Sequence, residues 1–235
     1  MLLATDLDGT FIGGESLHRQ QLFHLVRNNK DMRLAFVTGR GLQTVIPLLN
    51  DPVIPSPDYI ICDVGATVVY GYTLRPIEPL QGEIRMKWPG TKRVLDLLED
   101  VEGLQYQHVP QHRRCSFFVK DEAVVNTVKN RVEELGFDVI WSAGRFLDVL
   151  PQGVNKGSSL INLINLLGYD KEEVMVAGDT LNDLSMYQCG FRGVVVGNAE
   201  DKLRAAVAEL PEIYCAETTG AGGILEAIEY FDFKP

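Results

Sequence analysis

Leu2-Leu3-Ala4-Thr5-Asp6-Leu7-Asp8-Gly9-Thr10 is an apolar run that ends in two carboxylates two residues apart. In an extended strand residues i and i+2 share a side, so Asp6 and Asp8 converge where the strand stops and Gly9 turns the chain. Two close carboxylates repel unless something offsets their charge, and a divalent cation with oxygen ligands does so. With metal and phosphate in place, one carboxylate can act as nucleophile while the other handles protons. The alternative is an ordinary Asp-Gly turn closing a strand. The rest of the chain decides between them.

A second acidic cluster, Gly178-Asp179-Thr180-Leu181-Asn182-Asp183, follows another apolar run, Val174-Met175-Val176-Ala177. Asp179 falls at a strand end and Asp183 one helical turn on, so both carboxylates can face the point that Asp6 faces. Magnesium needs few protein carboxylates, keeps several waters and takes a further oxygen from a substrate phosphate. Asp6, Asp179 and Asp183 suffice for it, directly or through water. Thr38 offers a hydroxyl, and Gly39-Arg40 offers backbone N–H groups beside a helix start, a common way to hold phosphate oxygens. Lys156, at the start of its own helix, can place an ammonium on the same phosphate.

Between these stations strands alternate with helices. Helices are expected at Ser16 (as cap) to about Asn28, Gly41–Leu49, Lys156–Leu167, Leu181–Gln188, Asp201–Glu209 and Ile224–Tyr230. Buried strands are expected at Arg33–Val37, Tyr59–Cys62, Val174–Ala177, Gly193–Val196 and Ile213–Cys215. That order predicts an α/β fold, a doubly wound, Rossmann-like parallel sheet, with Asp6, Thr38 and Asp63 along the edge where such sheets bind ligands. Val64–Arg75 reads as a small hairpin leading out of the sheet. From about Gly82 to Gln152 the rhythm changes. Helices near Lys92–Asp100 and Glu122–Leu135, with strands near Leu104–Gln107, Cys115–Val119, Val139–Ser142 and Phe146–Leu150, make an inserted α+β cap. The expected boundaries are 1–80 and 154–235 for the core and 81–153 for the cap, with Pro79–Gly82 and Pro151–Asn155 as linkers.

Composition narrows the function classes. A chain of 235 residues, 46% hydrophobic and 23% charged, can bury a large core. The net charge of −10, with no basic block longer than Arg113-Arg114, argues against nucleic acid as a partner. The cysteines Cys62, Cys115, Cys189 and Cys215 form no CxxC pair and no run is long enough to span a bilayer, and no leader is expected ahead of Asp6. A reduced, cytoplasmic protein without membrane contact is expected.

Asp6-Leu7-Asp8-Gly9-Thr10, Thr38-Gly39-Arg40, Lys156 and Gly178-Asp179 with Asn182-Asp183 resemble, in order, the four motifs of the haloacid-dehalogenase-like phosphohydrolases. The insert lies between the second and third, where one subgroup carries an α/β cap. Phe146-Leu147-Asp148-Val149-Leu150-Pro151-Gln152, Asn155-Lys156-Gly157 and Gly220 through Ile228 with Phe231-Asp232-Phe233 are similar to sucrose-phosphate phosphatases. The resemblance implies Asp6 as nucleophile and Asp8 as acid and base, with the Asp8 backbone carbonyl also on the metal. It implies Asp179 as the main metal carboxylate, Asp183 as a direct or water-linked ligand, Asn182 as support, and Thr38, Gly39, Arg40 and Lys156 on the phosphoryl group. It further implies a Mg2+-dependent phosphomonoesterase for a sugar phosphate, sucrose 6-phosphate first, with possible docking to the glycosyltransferase that makes it. Arg114, Arg145, His112 and Ser116 are the cap residues expected to read the sugar, and Trp141 is expected in the cap core. Mannosylfructose phosphate, glucosylglycerol phosphate or a hexose phosphate as substrate, a phosphosugar mutase, and a non-catalytic sugar-phosphate-binding subunit remain alternatives.

Overall fold

The structure, a computed structural model, describes residues 1–110 and 112–233. The chain opens β1 (Leu2–Thr5), α1 (Ser16–Asn28), β2 (Arg33–Val37), α2 (Leu42–Leu49), β3 (Tyr59–Cys62), β4 (Thr67–Tyr70), α3 (Leu80–Met86). A second unit follows: α4 (Thr91–Leu98), β5 (Gln105–Tyr106), β6 (Cys115–Phe118), α5 (Glu122–Glu133), β7 (Phe137–Ser142) and β8 (Phe146–Pro151). The first pattern then resumes with α6 (Lys156–Leu167), β9 (Val174–Gly178), α7 (Leu184–Tyr187), β10 (Arg192–Val195), α8 (Asp201–Val207), β11 (Ile213–Cys215) and α9 (Ala221–Tyr230).

The large sheet has the order β11-β10-β9-β1-β2-β3-β4 and is parallel except for β4. Its strands are mostly apolar because both faces are covered. Leu2, Ala4, Ala35, Val37, Val174 and Val176 point to the face packed by α3, α6, α7 and α8. Leu3, Leu34, Phe36, Met175 and Ala177 point to the face packed by α1, α2 and α9. The strand order reverses at β1, which lies between β9 and β2. A crevice therefore opens at its carboxyl end, where Asp6 stands.

The second sheet, β5-β6-β8-β7, is antiparallel. Alternation gives it two unlike faces. Cys115, Phe117, Leu147 and Val149 join Val94, Leu98, Val125, Val128 and Val132 of α4 and α5 in a core of their own. Ser116 and Asp148, opposite each other in register, point the other way, into a cleft shared with the large sheet. Trp141 packs at the margin of this core, as expected.

Four local expectations give way. Glu15, not Ser16, occupies the cap position of α1, and no side chain caps it. The 64–75 segment does not leave the sheet. β4 pairs antiparallel with β3 through a tight turn at Asp63–Gly65, so it is the sheet's edge strand. The expected linker Pro79–Gly82 instead leads into and begins α3 (Leu80–Met86), which buries Leu80 and Ile84 in the main core. The stretch expected as one helix from Leu181 splits into a short turn, Leu181–Asp183, and α7. Among the described residues, no helix is long and apolar enough to cross a membrane.

Candidate active site

β1 ends at Thr5, one residue before the first carboxylate. Leu7–Phe11 form a single wide turn in which Asp8 is extended and Gly9 has φ +78°. Asp6 and Asp8 thus reach the cleft from a turn rather than from one side of a strand. Asp6 is buried, whereas the Asp8 side chain is 56% exposed at the cleft mouth. Gly9 is required twice over. Its backbone is left-handed, and a methyl there would collide with Asp179 Oδ2.

Lys156, the first residue of α6, is fully buried. Its Nζ donates to Asp6 Oδ1 at 2.7 Å and to Asp183 Oδ1 at 2.6 Å. Asn155 caps that helix by accepting from Ser158 N, which fixes the point where the lysine enters. Asp183 Oδ2 accepts from the backbone N–H groups of Asp179 and Thr180, both at 3.0 Å. Thr10 Oγ1 donates to Asp179 Oδ1 at 3.0 Å.

Among the described residues, Asp6, Asp179 and Asp183 present one oxygen each within 4.8 Å of one another. Lys156 pairs with Asp6 and Asp183, and Asp179 is met by the Thr10 hydroxyl. Burial first, then the neighbouring carboxylates, push the Asp179 carboxyl up to about 8. Burial and the Asp183 and Asp8 charges push Asp6 up to about 7 against the pull of Lys156. Burial opposes the charge of Lys156 itself, but Asp183 and Asp6 more than offset that and hold its amine above the usual range. The cluster carries more negative charge than it can balance, and its donors are hard oxygens. Both features fit a divalent cation of the magnesium type.

The remaining expected residues divide. Thr38, Gly39, Arg40, Asn182, Arg114 and Ser116 line the cleft with Asp6 and Asp8; its volume is about 330 Å³. Arg40 does not present its backbone N–H to the cleft, because that group donates to Thr38 Oγ1 at 3.1 Å. Its guanidinium instead grips Asp8 with two bonds, Nε to Oδ2 at 2.7 Å and Nη2 to Oδ1 at 2.6 Å. Asn182 accepts from Thr180 Oγ1 at 3.0 Å.

Arg114 is buried. Its Nη1 donates to Asp148 Oδ1 at 3.3 Å, and its Nε stands 3.1 Å from Asp63 Oδ1 as an ion pair without hydrogen-bond alignment. Burial raises the Asp63 carboxyl against the pull of Arg114. Ser116 Oγ donates to Asp148 Oδ1.

Two expected cap residues lie elsewhere. The guanidinium of Arg145 stacks on Phe118 and Phe146, 5.0 and 4.8 Å from their ring centres, and is absent from the cleft lining. His112 lines a separate groove with Arg113 and Arg85. Conversely, Asp148, Gln107, Ser142 and Phe146 line the cleft although none of them was expected in the site. Strand alternation around inward-facing Leu147 and Val149 was the available signal for Phe146 and Asp148.

A family model described as Sucrose-6F-phosphate phosphohydrolase matches residues 1–232. The chain belongs to that family. The description of that family is of a hydrolase of a sugar phosphate ester. The chain is 50% identical over 234 residues to the glucosylglycerol-phosphate synthase of Pseudomonas anguilliseptica, matching 99% of this chain and 31% of that protein. It thus spans about a third of that relative's length. It is 28% identical to the mannosylfructose-phosphate phosphatase of Agrobacterium fabrum, covering 100% of this chain and 98% of that one. The sucrose-phosphatase of Synechocystis sp. PCC6803, solved with sucrose and phosphate, superposes with a TM-score of 0.90 at 26% identity, covering 99% of this chain and 98% of the other. The parallel sheet with an antiparallel-sheet cap is the fold of these phosphatases.

Proposed function

We propose that this chain is a Mg2+-dependent phosphatase of a glycosyl phosphate, glucosylglycerol phosphate foremost, working through a phosphoryl group transferred to Asp6. The observation that carries the chemistry is the trio of clustered carboxylates Asp6, Asp179 and Asp183, two of them, Asp6 and Asp183, sharing Lys156. Asp6 attacks phosphorus, and Lys156 holds its carboxylate in place. Asp8 gives a proton to the leaving sugar oxygen and then takes one from the water that releases phosphate. Phosphate oxygens entering the cleft compete for the Arg40 guanidinium, which frees Asp8 for that work. Thr38 and Gly39 hold phosphoryl oxygens beside the start of α2. Asp6, Asp179 and the Asp8 backbone carbonyl would hold Mg2+, with Asp183 fixed behind them by Lys156 and two backbone N–H groups. When bound, the ion supplies the charge that lets an anionic nucleophile face an anionic ester.

The sugar choice is supported by the 50% identity to a glucosylglycerol-phosphate synthase. A phosphatase fold within a chain that forms a phosphate ester is placed to remove that phosphate. The same likeness supports association with a glycosyltransferase, in one chain or as a partner. Sucrose 6-phosphate is the second reading, favoured by the family model and the Synechocystis structure. Arg114, Ser116 and Asp148 would meet the sugar from the cap side. Phosphate release from glucosylglycerol phosphate, sucrose 6-phosphate and mannosylfructose phosphate, with Mg2+ and with EDTA, tests both readings. Glucosylglycerol phosphate is expected to give the highest kcat/KM. Activity that survives complete metal removal, or that persists in Asp6→Asn, would overturn the mechanism.

A further inference from the structure

Glu200 stands at the cap position of α8 and has no part in the chemistry above. Its backbone N–H donates to the Asp179 carbonyl at 2.9 Å. Its carboxylate accepts two more backbone N–H groups from opposite walls of the cleft. Leu181 N donates to Oε2 at 3.1 Å, and Ala143 N donates to Oε1 at 2.9 Å. Leu181 heads the turn that carries Asn182 and Asp183. Ala143 is the tip of the β7–β8 hairpin, beyond its last paired residues, Ser142 and Phe146. Ala143 and Gly144 are both left-handed, with φ +50° and +58°. The Ala143 N–H lies outside the ladder, and Glu200 takes it. Two residues on, Lys202 Nζ lies 5.6 Å from the ring centre of Trp141 in β7. One short core segment therefore touches the cap hairpin twice.

We propose that Glu200 is the latch of the cap: a positioning residue that couples closure of the β7–β8 hairpin to order in the Asp179–Asp183 loop. A carboxylate suits this work because its two oxygens accept in different directions, which a neutral amide cannot do. When the hairpin lifts, Oε1 loses its partner while Oε2 still holds Leu181. The closed state is thus favoured by one charge-assisted bond whose acceptor is anchored to the site itself. A sugar phosphate needs the closed state, because Gln107, Ser116 and Asp148 reach the cleft from the cap. A small aryl phosphate, which reaches Asp6 without cap contacts, does not. This inference rests on the sugar-phosphatase reading given above.

The test uses Glu200→Gln and Glu200→Asp in a Trp88→Phe background, which leaves Trp141 as the single tryptophan. Glutamine keeps one acceptor, and aspartate keeps the charge but is one methylene too short to serve both walls. Each is expected to raise KM for glucosylglycerol phosphate about tenfold, the worth of one charge-assisted bond. Turnover of p-nitrophenyl phosphate should stay within about twofold of the parent, since it asks nothing of the cap. Acrylamide quenching of Trp141 should increase in the free enzyme. Equal losses on both phosphates would show that Glu200 serves the Asp179 loop alone and would overturn the latch, as would unchanged quenching. Quenching needs no turnover. A parent that hydrolyses no sugar phosphate would therefore refute the proposed function, while Trp141 would still report on the latch.

Discussion

Without metal, the protein should lose stability as the pH rises from about 4 to about 8. The carboxyls of Asp179 and Asp6 stand at about 8 and about 7 in the folded chain, against an ordinary 3.8. Between those limits the native state holds protons that the unfolded chain has released, so the slope of unfolding free energy with pH is negative. The contribution is fully present below the unfolded pKa and is lost as the pH passes the folded pKa. For Asp179 alone the rise from 3.8 to about 8 is worth roughly 6 kcal/mol at about 1.4 kcal/mol per pH unit. Asp6 draws on the same mutual repulsion, so the two do not add. Roughly 6 kcal/mol is a large share of the 5–15 kcal/mol typical of a domain. Urea unfolding in EDTA at intervals from about pH 5 to about pH 9 reads it directly. Saturating Mg2+ should remove the slope by stabilising the ionised site, and Asp179→Asn should flatten it. Metal-free stability that is level or rising over this range, or a slope that Asp179→Asn leaves unchanged, would refute the reasoning.

Gly9→Ala places a methyl against Asp179 Oδ2 in a left-handed backbone. It should cost about 1–3 kcal/mol of stability and, by displacing Asp8, lower kcat by about 100-fold in a phosphate-release assay. Arg114→Met leaves Asp63 and Asp148 without their shared cation. Chemical denaturation should show a loss of about 3–5 kcal/mol, partly recovered by Arg114→Lys. Lys156→Met removes the ammonium that pairs with Asp6 and Asp183. Activity should be abolished, and the loss of stability measured in EDTA should be greater at about pH 8 than at about pH 5.

The large sheet was legible because its strands are apolar runs with turn residues at their ends, as in Arg33–Val37 and Tyr59–Cys62, which match the structure residue for residue. Helix α6 was equally plain, with Asn155 to start it and Gly168 in a left-handed cap to stop it. The turn that keeps β4 in the sheet left no local mark. It needs Asp63 and Val64 at φ +53° and +56°, a conformation that a β-branched residue rarely adopts. Pro79 was read as the start of a linker, although proline is at home at a helix start; it stands at the cap position just before α3. At the site, Asp6, Lys156, Asp179 and Asp183 could be named because strand ends in a parallel sheet converge. The cap residues could not all be sorted, because their partners are distant in sequence or aromatic. Arg114 faces the cleft through Asp63, contributed by the core, and Arg145 is drawn off by Phe118 and Phe146.

Arg114 belongs to the cap side, whereas Asp63 follows β3 of the large sheet, and the two meet in the cleft with both side chains buried. Lifting the cap therefore separates a cation from an anion and hydrates both. Dissolved ions screen the hydrated, separated charges far more than the buried pair. Rising ionic strength should thus tilt the balance toward the open cleft, tightening nothing but speeding departure of the dephosphorylated sugar. The salinity of the surroundings would then act on how often the enzyme opens, with no regulatory ligand required.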